Sequence, residues 1–577
     1  MSAIAPRRSS INEDLLRRRF SSSSEVAAYN SIRTSSLLGA VSESESLLLS
    51  AADENKAHIY GSVAEIDEED EDSQTQQQPK DSKLLQDEMK SMIELALPVC
   101  LTYLLEMLPG ITTIILVGRM KEEEDGNKLH IDATALAVMF VNITGMSTGL
   151  GLLTAMDTLC SHAHGANQPS KMGTYLLTGM FVMMITFAIV GVIIWNTTPI
   201  LLACGQQYDL AVEAGYFAQY MLPSVPFVYA YEILRKISQA RNEATPMMVS
   251  AIVSNIVNIG LGYYLVNCTA WGWLGAAVAR SVGSFFMLPS LILSMMYCER
   301  GGATMKVSNN DEEKNNTSEE GMDGQLFHHL WEGFQPSKAL TIKAVVKFLD
   351  LGLPGMLQVM FEWVAFEVIA LICGIIPDQE EALIAIGSNA IVLNIVTFAY
   401  MLYLGTGVAG NVRIGNALGA GDAHRAQVAT YLAVAIGTFL SLVNIVLIVT
   451  FREYLASIFT NDEDLLNKCR SLFIIVALFQ LPDAVNGVEQ GVFRASGRQS
   501  LSAKLNFVAY YVIGLPLGYY LALPLEMGVE GLWIGIFVGM LTISSTNSIV
   551  IMRSDWAALA TAARSRLSIV VPSKDIP

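Results

Sequence analysis

Residues 351–373 read LGLPGMLQVMFEWVAFEVIALIC, an almost wholly apolar run. A helix needs ~20 such residues to cross the ~30 Å hydrocarbon core of a bilayer, so this run predicts a membrane-spanning helix. Two carboxylates, Glu362 and Glu367, interrupt it. A charged side chain deep in lipid costs at least ~2.5–3.5 kcal/mol, so we expect both residues to face a cavity and to have a function.

The composition of the whole chain also indicates a lipid environment. Of its 577 residues, 52% are hydrophobic and 16% are charged, and the mean hydropathy is +0.42. A soluble globular chain of this length is less apolar and more charged. The acidic residues behind the formal charge of -18 concentrate in the hydrophilic stretches 65–72 and 311–323. We interpret these as solvated segments and expect no nucleic-acid partner.

A scan for further apolar runs predicts twelve spans in total. They lie near residues 92–117, 133–156, 172–195, 209–234, 246–266, 272–297, 344–374, 383–410, 425–451, 466–493, 501–523 and 528–552. We therefore predict five segments. These are a disordered cytoplasmic tail (1–90), an N-terminal six-helix bundle (91–297), a cytoplasmic linker loop (298–341), a C-terminal six-helix bundle (342–553) and a cytoplasmic tail (554–577).

An internal repeat relates the two predicted bundles. Leu97-Pro98 recurs as Leu353-Pro354, an offset of 256 positions, and G-Y-Y-L at 262–265 recurs at 518–521 with the same offset. Six helices per half give both halves the same orientation, so the repeat is parallel, with its axis along the membrane normal. The predicted fold class is an all-α integral membrane protein with twelve transmembrane helices in two six-helix bundles.

The basic residues of the short connections predict the orientation, because Lys and Arg accumulate in cytoplasmic loops. An inside N-terminus makes one set of connections cytoplasmic, and we assign to it Lys171, Arg235, Lys236, Arg241, Arg413, Arg425, Arg494, Arg498 and Lys504. The opposite loops at 196–208, 267–271, 375–382 and 524–527 carry no Lys or Arg. Two further outer loops do carry basic residues, so the bias is imperfect. Both termini are expected in the cytosol.

Several function classes lack their motifs in this sequence. There is no G-x-x-x-x-G-K-[ST] for ATP-driven export, and no H-E-x-x-H or G-x-S-x-G for an intramembrane enzyme. The seven cysteines are scattered without C-x-x-C or His/Cys spacing, so we expect no metal site and no cofactor. A repeated channel filter is also absent. Secondary transport remains, and the chain is not expected to be an enzyme.

Ionisable residues deep in the predicted spans are candidates for that transport. Besides Glu362 and Glu367, Asp483 lies near the middle of the tenth span, with no Lys or Arg at comparable depth in the second half. A carboxylate without a compensating charge suits proton uptake and release. Glu106 can be either functional or structural. We expect Glu94 and Glu489 to be interfacial, and Arg280 to pair with an acidic group or with backbone.

Aromatic residues adjoin these carboxylates in the sequence. Trp363, Phe366 and Tyr400 could offer cation–π faces to an organic cation. Aromatic residues in membrane helices also serve as packing groups or interface anchors, so both interpretations stay open.

From Glu94 to Met552 the chain resembles the multidrug and toxin extrusion (MATE) transporters, in their eukaryotic branch. The resemblance rests on E-L-A-L-P at 94–98, M-D-T-L-C-S-H-A-H-G-A at 156–166 and L-P-G-M-L-Q-V-M-F-E-W-V-A-F-E at 353–367. It continues through G-N-V-R-I-G-N-A-L-G-A-G at 410–421, G-V-F-R-A-S-G-R-Q at 491–499 and Y-Y-V-I-G-L-P-L-G-Y-Y-L at 510–521. In this order the motifs are highly specific.

The resemblance implies two six-helix bundles around a central cavity, and antiport of organic cations or related metabolites against protons. It assigns proton and cation handling to Glu362, Glu367 and Asp483. Pro98, Asp157, Pro354 and Arg494 match motif positions that we take as structural, and Asp157 is expected to fix a loop at a helix end. The Ser-rich N-terminus suggests a fungal or similar host.

Some alternatives remain at this stage. Sodium can replace the proton as the coupling ion, and a lipid-linked glycan flippase or a facilitator-superfamily transporter would have related architectures. The facilitator loop motif is absent between the second and third spans, and few basic residues would line a flippase cavity. We expect a monomer in the lipid bilayer that binds a small-molecule substrate. Vacuolar and plasma membranes both fit.

Overall fold

The computed structural model describes residues 82–120, 124–308 and 326–568. The chain divides into two compact units, Met1–Leu84 and Leu85–Pro577, and the described structure belongs almost wholly to the second. All regular structure in the described residues is helical. The predictions for residues 1–81, for the acidic stretch 311–323 and for residues 569–577 lie outside this range.

Six helices form the first half, which we call the N bundle. They are α1 (Ser82–Gly118), α2 (Lys128–Gly165), α3 (Pro169–Trp195), α4 in two parts (Tyr208–Met221 and Ser224–Ala240), α5 (Thr245–Cys268) and α6 (Leu274–Ser308). A π-helical turn at Asn142–Met146 interrupts the regular winding of α2. The short helices Thr197–Ala203, Leu326–Gly333 and Pro336–Ala339 connect longer ones.

Six more helices form the second half, the C bundle. They are α7 (Ile342–Cys373), α8 (Gln379–Ala420), α9 (Ala423–Leu455), α10 (Glu463–Ser496), α11 (Gln499–Ala522) and α12 (Gly528–Met552). A further helix, α13 (Trp556–Ser568), follows within the segment predicted as a tail. Eleven helices of the described chain are long and apolar enough to span a membrane. The twelve-helix, two-bundle fold predicted from the sequence is confirmed.

The fourth predicted span differs from the rest because it is broken. Its parts have 14 and 17 residues and flank Leu222 and Pro223. Proline lacks a backbone N–H and its ring clashes with the preceding turn, which accounts for the break. The second part continues to Ala240, so Arg235 and Lys236 are buried helix residues. Their assignment to a cytoplasmic loop was wrong.

The C bundle is built around α10. The most apolar stretch of α10 is 67% buried inside the protein, a larger share than in the other described helices that could span a membrane. α10 packs against α8, α9 and α12. In a membrane, a helix that contacts protein on most sides can carry polar side chains that lipid would not accept. α10 is therefore the place in this bundle where ionisable groups can be accommodated.

The two bundles meet along a line of glycines that we call the seam. A Cβ atom on Gly415 would lie 2.2 Å from Ser161 Oγ, and one on Gly419 would lie 2.3 Å from the carbonyl oxygen of His162. Gly165 approaches the Asn416 carbonyl just as closely. Only glycine permits this approach of α2 to α8. The bundles are thus in backbone contact at the ends where α2 and α8 finish.

Two polar contacts between the bundles involve residues of α8 next to the seam glycines. Asn416 Nδ2 donates to the Ala240 carbonyl at 3.1 Å. Glu88, near the start of α1, accepts a hydrogen bond from Arg413 Nη2 at 2.7 Å. These hydrogen bonds join α4 to α8 and α1 to α8 beside the glycine contacts.

Candidate functional site

A buried carboxylate of α7 is the centre of a polar cluster in the C bundle. Glu362 is 5% exposed, and its Oε2 atom accepts a hydrogen bond from Gln490 Nε2 at 2.8 Å. The Tyr400 side chain, from α8, also hydrogen-bonds to this carboxylate. Three helices therefore bring donors and an acceptor together in the interior of one bundle.

A single face of α10 supplies the rest of the cluster. Asp483, Gly487, Gln490 and Arg494 follow the spacing i, i+4, i+7 and i+11, which places them in one row along a helix. Asp483 is 3% exposed, its Oδ2 atom has no hydrogen-bond partner, and its carboxylate is close enough to Glu362 to interact electrostatically. The structure thus brings two of the three predicted carboxylates together.

Arg494 changes the expected charge balance of this site. From the sequence, no base is expected at comparable depth, and Arg494 is predicted to be a structural residue in a connection. The structure buries Arg494 in α10, where its guanidinium group acts electrostatically on Glu362. Its Nε and Nη2 atoms have no hydrogen-bond partner. The cluster is therefore two carboxylates with one cation nearby, not a pair of uncompensated acids.

Glu367 lies apart from this cluster. It is five residues beyond Glu362 on α7, which turns its side chain by roughly 140° around the helix axis. The residue is half-buried. Among the described residues, no charged group and no hydrogen-bond donor acts on its carboxylate, which is affected by burial alone. The structure does not join Glu367 to Glu362 and Asp483.

The predicted cavity aromatics separate into different environments. Phe366 packs against Tyr510 and Trp533, with ring centroids 6.4 and 6.3 Å away. Trp363 is half-buried. Of the three candidates, Tyr400 is the one in contact with the carboxylate cluster.

The motif residues of the first half have structural partners. Asp157 lies in a helical turn, and its Oδ1 atom is 2.8 Å from Lys236 Nζ of α4. It therefore joins two helices of the N bundle, in place of the expected role of fixing a loop. Pro98 lies within α1 and Pro354 within α7. Gly355, next to Pro354, packs against Thr154 of α2.

A charge cluster in the N bundle was missed by the sequence analysis. Arg235 is 1% exposed, and its Nη1 atom donates to both oxygens of Glu106 at 2.8 Å. Its Nη2 atom lies 3.0 Å from Glu232 Oε2. Tyr231 donates to Glu106 at 2.9 Å. Glu106 is thereby held in a bidentate ion pair, which supports the structural interpretation of this residue.

The signal for this cluster was present in the sequence. Tyr231, Glu232 and Arg235 are neighbours on one turn of α4, and Glu106 had been noticed as a deep carboxylate. The prediction ended the fourth span at residue 234, so Arg235 was counted as a loop residue. A predicted fourth helix that continued to Ala240 would have included Arg235, the residue that pairs with Glu106.

Two other expectations are corrected by burial and contacts. Glu489 was expected at the membrane interface, but it is 1% exposed and accepts a hydrogen bond from Ser548 Oγ at 2.5 Å. Arg280 was expected to pair with an acid or with backbone, yet its Nη1 atom has no hydrogen-bond partner. Within the described residues, no group of three or more His, Cys, Asp or Glu side chains could hold a metal ion.

Comparison with known proteins shows that the chain matches a protein family. The MatE family model matches residues 98–264 and 354–520. Both ends of the second match lie 256 positions after those of the first, the offset found within the sequence.

Individual relatives match over most of the chain. The chain is 29% identical to multidrug and toxin extrusion protein 1 of Danio rerio over 469 residues, 81% of this chain and 73% of that one. It is also 29% identical to multidrug and toxin extrusion protein 2 of Mus musculus over 491 residues, 85% of this chain and 78% of that one.

Solved structures match the fold. The eukaryotic MATE transporter AtDTX14 superposes with a TM-score of 0.70 and 27% identity, over 84% of this chain and 100% of that one. An outward-facing MATE family transporter gives a TM-score of 0.65 at 15% identity, over 84% of this chain and 98% of that one, a likeness of fold alone.

Proposed function

Because the chain belongs to the MatE family of multidrug and toxin extrusion transporters, we propose that it is a secondary antiporter. It exports small organic compounds, often cationic, from the cytosol in exchange for protons. The single observation that carries this assignment is the pair of buried carboxylates, Glu362 on α7 and Asp483 on α10, which interact inside the C bundle.

The chemistry of that pair supports an exchange. Two carboxylates repel one another strongly in a low-dielectric interior, so a cation that binds between or onto them is stabilised. A proton can supply the positive charge, and so can a cationic substrate. If both compete for the same carboxylates, occupancy by one releases the other, which is the requirement for antiport.

Arg494 and Gln490 shape this competition. The positive guanidinium group of Arg494 offsets part of the negative charge, so the pair does not need a permanently bound metal ion. Gln490 donates to Glu362 in its ionised form, and its amide oxygen can accept a hydrogen from the protonated form after a flip. The site is therefore compatible with both protonation states of Glu362.

The topology proposed for the chain determines which side of the membrane each end of the protein faces. With both termini in the cytosol, the seam at the ends of α2 and α8 lies on the cytosolic side. Tags at residue 40 and within 310–320 test this, because both should be digested only by protease on the cytosolic side. Opposite accessibility of the two tags would contradict the topology. Fluorescent fusion would distinguish the vacuolar from the plasma membrane.

The transport assignment is tested in proteoliposomes that contain the purified full chain. A panel of labelled organic cations is supplied with an imposed proton gradient and no sodium. We expect gradient-dependent movement of at least one cation, abolished by a protonophore. Transport that follows the substrate gradient alone and ignores the proton gradient would contradict the antiporter proposal.

A further inference from the structure

The C-terminal helix α13 lies over the seam and contacts both bundles. It packs against the end of α2 in the N bundle and against α8 and α9 in the C bundle. Trp556, Ala560, Ala563 and Leu567 are buried at the spacing i, i+4, i+7 and i+11, and they form one apolar face within the core. Asp555 caps the start of the helix by accepting from the Ala558 amide at 3.0 Å. The helix is thus docked along its full length.

The end of α13 is held by one lysine from each bundle. Lys171, at the start of α3 in the N bundle, donates from Nζ to the Leu567 carbonyl at 2.7 Å. Lys347, in α7 of the C bundle, donates to the adjacent carbonyl of Arg566. The last carbonyls of a helix carry a partial negative charge and have no partner within the helix, so an ammonium group binds favourably there. For Lys347 this attraction is opposed by the nearby positive charges of Lys171 and Arg566. One helix end therefore bridges two bundles.

The arginines of α13 make reciprocal contacts with the C bundle. Arg566 Nη1 donates to the Ser496 carbonyl at 3.0 Å, at the end of α10. Arg564 donates to the Ala420 carbonyl at the end of α8. These contacts fix α13 to the C bundle more firmly than to the N bundle, where Lys171 is the polar link. A separation of the bundles at the seam must break the Lys171–Leu567 contact first.

We propose that α13 is a latch that holds the seam closed, and that its release from Lys171 controls opening at this end. The site can become accessible from this end of the molecule only if the seam parts, and α13 spans that seam with charged hydrogen bonds on either side. This inference goes beyond the proposed antiport, because it concerns the closed end of the fold and needs no substrate.

The test measures the seam directly by spin-label distances in the full chain in lipid nanodiscs. Labels are placed at Gln168→Cys, in the exposed turn between α2 and α3, and at Ser500→Cys, exposed at the start of α11. The accessible cysteines Cys204, Cys268 and Cys298 are replaced by Ser. The latch variant is Lys171→Met, which removes the link to the N bundle. Lys347→Met, which removes a contact between α13 and the C bundle, is measured beside it. The matched control is Lys343→Met, an exposed lysine one turn before Lys347 on α7.

In the parent protein we expect mainly one short distance. In Lys171→Met a longer distance should become more populated, with the ratio of open to closed populations raised about tenfold, the factor for one lost hydrogen bond to a charged group. Lys347→Met removes a contact within the C bundle, so it should shift the ratio less than Lys171→Met. The control should match the parent. A distance distribution of Lys171→Met equal to that of the control would overturn the proposal.

Discussion

Gln490 Nε2 of α10 donates a 2.8 Å hydrogen bond to Glu362 Oε2 of α7. Both side chains are buried, so this bond replaces water for the carboxylate. It also makes the contact between two helices dependent on the protonation state of one residue. A proton on Glu362 Oε2 would turn that acceptor into a donor and require Gln490 to reorient. Proton binding is thereby linked to the packing of α7 against α10.

The first prediction concerns the charge of Glu362. We expect Glu362→Gln to abolish export driven by a proton gradient, because the amide keeps the volume but cannot bind and release a proton. Initial rates in proteoliposomes measure this at matched protein content. Asp350→Asn is the control, since Asp350 lies on the same helix and is exposed, and it should transport like the parent. Full gradient-driven transport by Glu362→Gln would return Glu362 to a structural role.

The second prediction concerns the N bundle. Arg235→Met would leave the buried Glu232 and the partly buried Glu106 without their cation. Breaking a buried ion pair by removing one partner costs about 3–5 kcal/mol, so we expect a clearly lower melting temperature in detergent. Arg553→Met, at an exposed position after α12, should melt like the parent. An unchanged melting curve for Arg235→Met would show that the ion pair contributes little to stability.

Most of the fold follows from regular physical signals in the sequence. Apolar runs locate eleven helices because lipid tolerates few other structures. The break in the fourth span was harder to predict, since Pro223 can either kink or end a helix and the runs on both sides are apolar. A separate error, the predicted end of this span at residue 234, placed Arg235 and Lys236 in a loop, and their ion pairs with Glu106 and Asp157 were therefore not predicted.

The site was predictable in part. Glu362 and Asp483 stood out because carboxylates are rare in apolar helices, and one face of α10 contains Asp483, Gln490 and Arg494 at helical spacing. Which side chains of other helices meet that face depends on crossing angles and rotations that one helix sequence does not contain. This is why the contact of Glu362 with Gln490 and the burial of Glu489 required the structure.

The third prediction concerns the glycines of the seam. A Cβ atom on Gly419 would lie 2.3 Å from the His162 carbonyl, and neither backbone can move without shifting its helix. We expect the added methyl group of Gly419→Ala to destabilise the closed seam by about 1–3 kcal/mol. The fraction of molecules with the longer spin-label distance should therefore increase. Gly260→Ala is the control, because nothing lies within 4 Å of its added Cβ. It should be neutral or stabilising, since alanine favours the helix by ~1 kcal/mol.

Equal behaviour of these two glycine variants would argue against a tightly packed seam. Both substitutions make the same chemical change, the addition of one methyl group to a helical glycine. A difference between them therefore reports the contact between α2 and α8.

The final prediction separates proton from sodium coupling and uses Asp483. Its Oδ2 atom has no hydrogen-bond partner, and Glu362 is the only charged group of the described residues that acts on its carboxylate. A proton needs one such oxygen. A sodium ion needs several oxygen ligands around it, and a single free oxygen beside the Glu362 carboxylate supplies few of them. We therefore expect a proton gradient alone to drive transport.

Asp483→Asn should stop this transport, because the amide cannot bind and release a proton. Asp483→Glu should retain part of it, because the carboxyl group remains and only the length of the side chain changes. Transport by a sodium gradient at equal pH on both sides, lost in Asp483→Asn, would refute the proton assignment while leaving Asp483 as the ion ligand.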